Sequence, residues 1–220
     1  RIADAPIITE SEKNITEDVQ SIFLNNEFLD QFTDVDTVYE GDVLTKIKIV
    51  ELPSDVHFEW NGIPVILNQE INIAHIPLLK VVSDQDFNGV SSFKWKASDG
   101  TLYSNEATMT INIQSINDSP VLSETSITTT EDMSLSISSA LINSVYSDVE
   151  GEAMDTIKLI TLPENGVMKL SGTPIAAGTS LPGSSIDNIT FVPNADFSGT
   201  DVLVYQASDS LLYSSSQNLI

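Results

Sequence analysis

Apolar and polar residues alternate along much of the chain. Ala107, Met109, Ile111 and Ile113 are interleaved with Thr108, Thr110, Asn112 and Gln114. Phe93, Trp95 and Ala97 are interleaved with Ser92, Lys94 and Lys96, and Leu203, Tyr205 and Ala207 keep the same parity further on. A period of two puts alternate side chains on opposite faces of an extended strand, so these segments predict half-buried strands with Trp95 and Tyr205 facing inward. Gly, Pro, Asn and Asp punctuate them as turns, and no long segment carries the period of an amphipathic helix. Helix-tolerant stretches around 26–32 and 138–143 have room for one turn each. Many short strands without helices predict an all-β chain of Greek-key β-sandwiches.

The pattern occurs twice. Thr16-Glu17-Asp18 returns as Thr130-Glu131-Asp132, and Phe32-Thr33-Asp34-Val35-Asp36 as Tyr146-Ser147-Asp148-Val149-Glu150, each pair 114 residues apart. From Ile47-Lys48-Ile49 and Ile157-Lys158-Leu159 onward the spacing is 110, so the first copy holds four extra residues near Thr37 to Asp42. Asp86-Phe87-Asn88-Gly89 matches Asp196-Phe197-Ser198-Gly199, and Ala97-Ser98-Asp99 matches Ala207-Ser208-Asp209. Ile2-Ala3-Asp4-Ala5-Pro6 aligns with Ile116-Asn117-Asp118-Ser119-Pro120. The expected domains are therefore 1–117 and 118–220, the second stopping within its last strand, before counterparts of Ile111 and Ile113.

Composition narrows the function. Thirty-two acidic against nine basic residues give a net charge of −23, which repels nucleic-acid phosphates and anionic membrane surfaces. With 41% hydrophobic residues the chain can still build a core, yet no apolar run approaches the roughly 20 residues of a membrane span. Cysteine is absent, which removes disulfides, thiolate metal sites and Cys nucleophiles. His57 and His75 have Val167 and Ser185 as their counterparts, so the fold does not require them. No Gly-x-Ser-x-Gly elbow accompanies the many serines. Paired carboxylates serve glycoside hydrolysis only across a cleft, which a small sandwich lacks. No enzymatic activity is expected.

The recurring acids fall at segment ends: Glu17 and Asp18, Asp34 and Asp36, Asp86, Asp99 and Asp118. Carboxylates gathered in one place repel and call for a cation, and Ca²⁺ takes six to eight oxygens in flexible geometry. Zinc and copper lack their usual ligands here. The competing reading is that the same Asp and Asn residues cap turns through nearby backbone N–H groups.

In order, Thr-Glu-Asp, Asp-x-Asp, Leu-Pro, Asn-Gly, Asp-Phe-Asn-Gly, Ser-Asp-Gly and Asn-Asp-x-Pro resemble the bacterial cadherin-like, immunoglobulin-like tandem repeats of large surface and secreted adhesins. In plan these are related to cadherin and chondroitin-sulfate-proteoglycan repeats. The resemblance covers both copies. It implies one to three calcium ions at the junction, held by Glu17 and Asp86 of the first copy, Asn117 and Asp118 of the linker, and Asp148, Glu150 and Asp209 of the second. It further implies weaker half-sites, Asp4, Asp34, Asp36 and Asp99 toward a preceding domain and Glu131, Asp132 and Asp196 toward a following one. Departures from the pattern are Ala3 in place of the linker Asn, Glu150 in place of the second Asp, Ser210 in place of Gly, and a Gly-Asp displaced by Thr37 to Glu40.

The expectation is a calcium-rigidified segment of an extracellular, cell-surface adhesin. Its partners would be neighbouring repeats of the same chain and a cell-surface protein or glycan, with no direct membrane insertion. Two alternatives stay open. One is a carbohydrate- or protein-binding module using Trp60, which stands just before an Asn-Gly turn, and the inserted loop. The other is a metal-free acidic spacer.

Overall fold

The computed structural model describes residues 4–35 and 42–220, so Asp36 and all of the inserted loop except Asp42 lie outside the described residues. The chain divides into two compact units, Arg1–Ile116 and Asn117–Ile220. Each is a β-sandwich with its own core.

In the first unit one sheet runs, edge to edge, through Ser11–Thr16, Ala107–Gln114, Gly89–Ser98, Lys46–Glu51 and Glu70–Asn72. The second runs through Ser21–Ile22, Leu79–Ser83, Val56–Trp60 and Ile63–Pro64. Neighbours are antiparallel except Ser11–Thr16, which lies parallel to Ala107–Gln114 with Ser11 opposite Met109. The inward parity is the one the alternation predicts: Phe93, Trp95, Ala97, Met109 and Ile111 are fully buried. Aromatic rings pack edge to face across this core, Trp95 on Phe28 at 4.9 Å and Phe58 on Phe93 at 4.9 Å. Such geometry sets the electropositive ring edge against the electronegative ring face.

The second unit repeats the plan. One sheet holds Ser180–Pro182, Thr156–Thr161, Leu203–Ser208 and Gln217–Leu219; the other holds Leu135–Ser136, Ile189–Pro193, Gly166–Leu170 and Thr173–Pro174. Its core is mostly aliphatic, built around Ile157, Leu159, Ile186, Ile189 and Tyr205. The helix-tolerant stretches are the single-turn helices Asn25–Leu29 and Ser139–Asn143. Phe28 and Ile142 each plug the core from them. Two 3₁₀ turns, Ile73–Leu78 and Gly183–Asn188, also lead into sheet strands; the alternation gave no sign of them.

Comparing the repeats shows how the same fold is filled twice. Val56 and Val81 of the first repeat are replaced by Gly166 and Phe191 in the second. A Cβ on Gly166 would run into the Phe191 ring and come within 2.6 Å of the Val192 carbonyl oxygen. Lost volume at one position is therefore taken up at the other. Gly166→Val is expected to destabilise the second repeat by about 1–3 kcal/mol through overpacking. Adding Phe191→Val should recover part of that loss, as read from urea unfolding midpoints.

Candidate functional site

The acids are placed by turns at strand ends. In the first repeat Asp34 directly follows Phe32–Thr33, and Asp99 follows Gly89–Ser98 in a tight turn completed by Gly100 at φ +110°. Asp99 Oδ1 accepts from the N–H groups of Thr101 (2.5 Å) and Leu102 (2.8 Å). Asp42 joins these two: one carboxylate oxygen from each of Asp34, Asp42 and Asp99 lies within 4.8 Å of the others. Two carboxylates at that spacing repel by about 1 kcal/mol in water and about 3.5 kcal/mol at an effective dielectric of about 20. Asp4 is exposed.

A second acidic group of the first repeat follows the strand Ser11–Thr16. Glu17 is completely buried, and its Oε1 accepts from the Ile116 N–H at 2.8 Å. Asp18 Oδ1 accepts from the Asp86 N–H at 3.2 Å, and the Asp18 N–H donates to Ser83 Oγ at 3.0 Å. Asp18 and Asp86 both hold left-handed backbone, φ +56° and +57°. Asp tolerates that region because its short side chain can bond locally.

The second repeat echoes both groups. Asp132 Oδ1 accepts from the Asp196 N–H at 3.0 Å, again with positive φ at both residues. Glu131 is exposed, unlike its counterpart Glu17. In this repeat the further candidate ligands are linked in pairs, Asn117 with Asp209 and Asp118 with Glu150, and Asp148 and Asp209 both lie near Tyr146. Asp209 Oδ1 accepts from Leu211 N–H (2.6 Å) and Leu212 N–H (2.8 Å), and its Oδ2 accepts from Asn117 Nδ2 at 2.9 Å. The Asp118 N–H points to Glu150 Oε2 at 3.3 Å, and Asp148 Oδ1 accepts from the Glu152 N–H at 3.1 Å.

Electrostatics follow from this arrangement. Burial alone would raise the Asp209 carboxyl, but hydrogen bonds from Leu212, Asn117 and Leu211 outweigh it and hold the group below the usual carboxylate range. Tyr146 sits beside these acids. Burial first, then the negative charges of Asp148, Asp209 and Glu152, push its hydroxyl up to about 12. Phe32 occupies the matching position of the first repeat.

Turn-capping occupies only one carboxylate oxygen of several of these side chains. Glu17, Asp99 and Asp148 each give one oxygen to a backbone N–H. The other oxygen of each, and Glu150 Oε1, is buried without a hydrogen-bond partner among the described residues. A buried anionic oxygen left in that state is costly, and a hard cation is the partner its chemistry suits. The residues present therefore fit Ca²⁺.

Two members escape the sequence reading. Asp42 is the acid of the displaced Gly41-Asp42, four residues late but returned to Asp34 and Asp99 by the fold. Asp18 stands in the recurring Thr-Glu-Asp next to Glu17, the residue that the resemblance implies as a ligand.

The other candidates lie elsewhere. Trp60 is half-buried against the first core, with its ring 6.1 Å from that of His75. His57 Nδ1 lies 3.4 Å from Asp84 Oδ1, both side chains exposed.

Residues 117–220 match the family model of a bacterial Ig domain. The second repeat is of the bacterial Ig-like class. The first carries the same landmarks and order of elements, so the chain is a tandem of two β-sandwiches on one plan, the second of which matches the bacterial Ig model. No curated protein matches the chain. Among solved structures, protocadherin gamma B2 extracellular cadherin domains 1–5 are 15% identical, with TM-score 0.44, covering 98% of this chain and 39% of that one. Mouse cadherin-23 EC22–24 is 12% identical, with TM-score 0.45, covering 98% and 63%. The endo-fucoidan hydrolase MfFcnA4, of glycoside hydrolase family 107, is 17% identical, with TM-score 0.32, covering 98% and 28%. The chain spans less than two thirds of each. Among the described residues no helix is long and apolar enough to cross a membrane.

Proposed function

We propose that these Ig-like repeats form a calcium-binding segment of an extracellular adhesin, stiffened by the ion and serving cell-surface adhesion and spacing. The observation that carries this reading is the set of buried, unpartnered carboxylate oxygens on Glu17, Asp99, Asp148 and Glu150, each in a residue that recurs with the repeat or replaces one that does. Without a cation these acids repel their neighbours and the surrounding turns loosen; with one they become ligands of a common centre. Extracellular modules bind Ca²⁺ at about 10⁻⁴ to 10⁻³ M, so such a segment would respond to the calcium level outside a cell. Neighbouring repeats are the first partners. An acidic surface that also keeps the chain soluble is compatible with that role.

Tyr146 offers an optical test confined to the second repeat. Tb³⁺ takes the oxygen ligands of Ca²⁺, and a tyrosine beside the ion sensitises its emission. Tyrosine-excited Tb³⁺ luminescence is expected on titration, displaced by Ca²⁺ and strongly reduced in Tyr146→Phe. Emission that is unchanged in that variant and insensitive to Ca²⁺ would refute the site.

A further inference from the structure

A cationic face on an otherwise acidic chain is concentrated in the first repeat. Four of the nine basic residues, Lys46, Lys48, Lys94 and Lys96, lie on the outward parity of the adjacent strands Lys46–Glu51 and Gly89–Ser98. Lys48 and Lys96 are direct cross-strand partners. Like charges placed directly opposite one another destabilise a sheet, and the second repeat avoids it at the same register, where Lys158 faces Gln206. Carboxylates from the rim engage three of the lysines: Glu70 meets Lys46 at 2.7 Å, Glu51 meets Lys94 at 2.6 Å and Glu106 meets Lys96 at 3.3 Å. Lys48 has no carboxylate within ion-pair distance among the described residues; its ammonium lies 5.6 Å from the centre of the Tyr103 ring. Lys48, Lys96, Tyr103, Asn68, Val50 and Glu106 line a shallow recess of about 320 Å³.

We propose that this recess binds an anionic polysaccharide, its carboxylate or sulfate lodged between Lys48 and Lys96 and a sugar ring laid against Tyr103. Paired ammoniums supply the charge complement, the aromatic ring supplies an apolar platform, and the Asn68 amide supplies hydroxyl recognition. An open recess on a sheet face suits one residue of a long chain passing over it. The net charge of the protein does not prevent this, because at physiological salt fields from exposed charges fade within about 8 Å. Locally, four lysines stand against Glu51, Glu70 and Glu106, which leaves Lys48 as the uncompensated charge among the described residues. Glu106, ion-paired to Lys96, competes with the incoming anion.

The test is affinity electrophoresis of the whole chain through polygalacturonate, dextran sulfate and neutral dextran, with EDTA present so that the outcome does not depend on calcium. Retardation by one or both polyanions and none by dextran is expected, and the two polyanions tell uronate from sulfate. Lys48→Gln with Lys96→Gln should weaken the interaction at least about ten-fold, the loss of charge-assisted bonds. Lys158→Gln should leave it unchanged and Glu106→Gln should strengthen it, each variant first shown to melt like the parent. No retardation by either polyanion, equal retardation of the Lys48/Lys96 variant, or equal binding to polyglutamate would overturn the proposal.

Discussion

Replacing Trp95 with alanine is expected to lower the melting temperature of the first repeat sharply and leave that of the second unchanged. Trp95 is fully buried, lies edge to face on Phe28 and stands in the central strand between Ile49 and Ala107 in the sheet register. Removing a buried aromatic costs about 3–5 kcal/mol through lost transfer energy and the cavity left behind. That is a large share of the 5–15 kcal/mol that typically holds a domain together. The two units keep separate cores, with no residue common to both clusters. Scanning calorimetry should show one transition moving down and the other staying in place. Both moving together by the same amount would contradict two independent cores.

The second large effect concerns the proposed calcium sites, and it separates capping from ligation. Asp209 uses its two oxygens differently: Oδ1 caps Leu211 and Leu212, while Oδ2 accepts from the Asn117 amide and is the oxygen the proposed ligation would use. Asparagine keeps a carbonyl oxygen for the cap but loses the charge a cation needs. At 10 mM Ca²⁺ (about 10 to 100 times the expected dissociation constants), each site binding only the folded state contributes roughly 1.4–2.7 kcal/mol. Asp209→Asn is expected to lose most of that gain in the second repeat while changing its melting in EDTA by much less. Equal losses with and without calcium would make Asp209 a turn cap alone.

Much of the fold was legible because period-two alternation is enforced by burial on one face only, as at Phe93, Trp95 and Ala97. The 3₁₀ turns Ile73–Leu78 and Gly183–Asn188 were not, because a six-residue turn carries too few apolar positions to show a period. Nor was the buried Lys13. Lys and Glu read as surface residues, yet the Lys13 ammonium bonds Glu27 and the Ile22 carbonyl, each at 2.8 Å, inside the sandwich edge. The repeat itself held the clue, since Ile127 and Leu141 stand at the matching positions. Carboxylate positions were legible as recurring acids at turns, whereas the grouping of Asp42 with Asp34 and Asp99 depends on how the chain returns after the inserted loop. Sequence spacing cannot supply that path.

Calcium binding is tested most directly by isothermal titration of Ca²⁺ into chelator-treated protein, with Mg²⁺ as the control ion. Saturable binding of Ca²⁺ in the range of about 10⁻⁴ to 10⁻³ M is expected, Mg²⁺ being much weaker because the clusters offer flexible carboxylates rather than a rigid octahedron. No saturable heat, together with melting curves that coincide in Ca²⁺ and in EDTA, would contradict it.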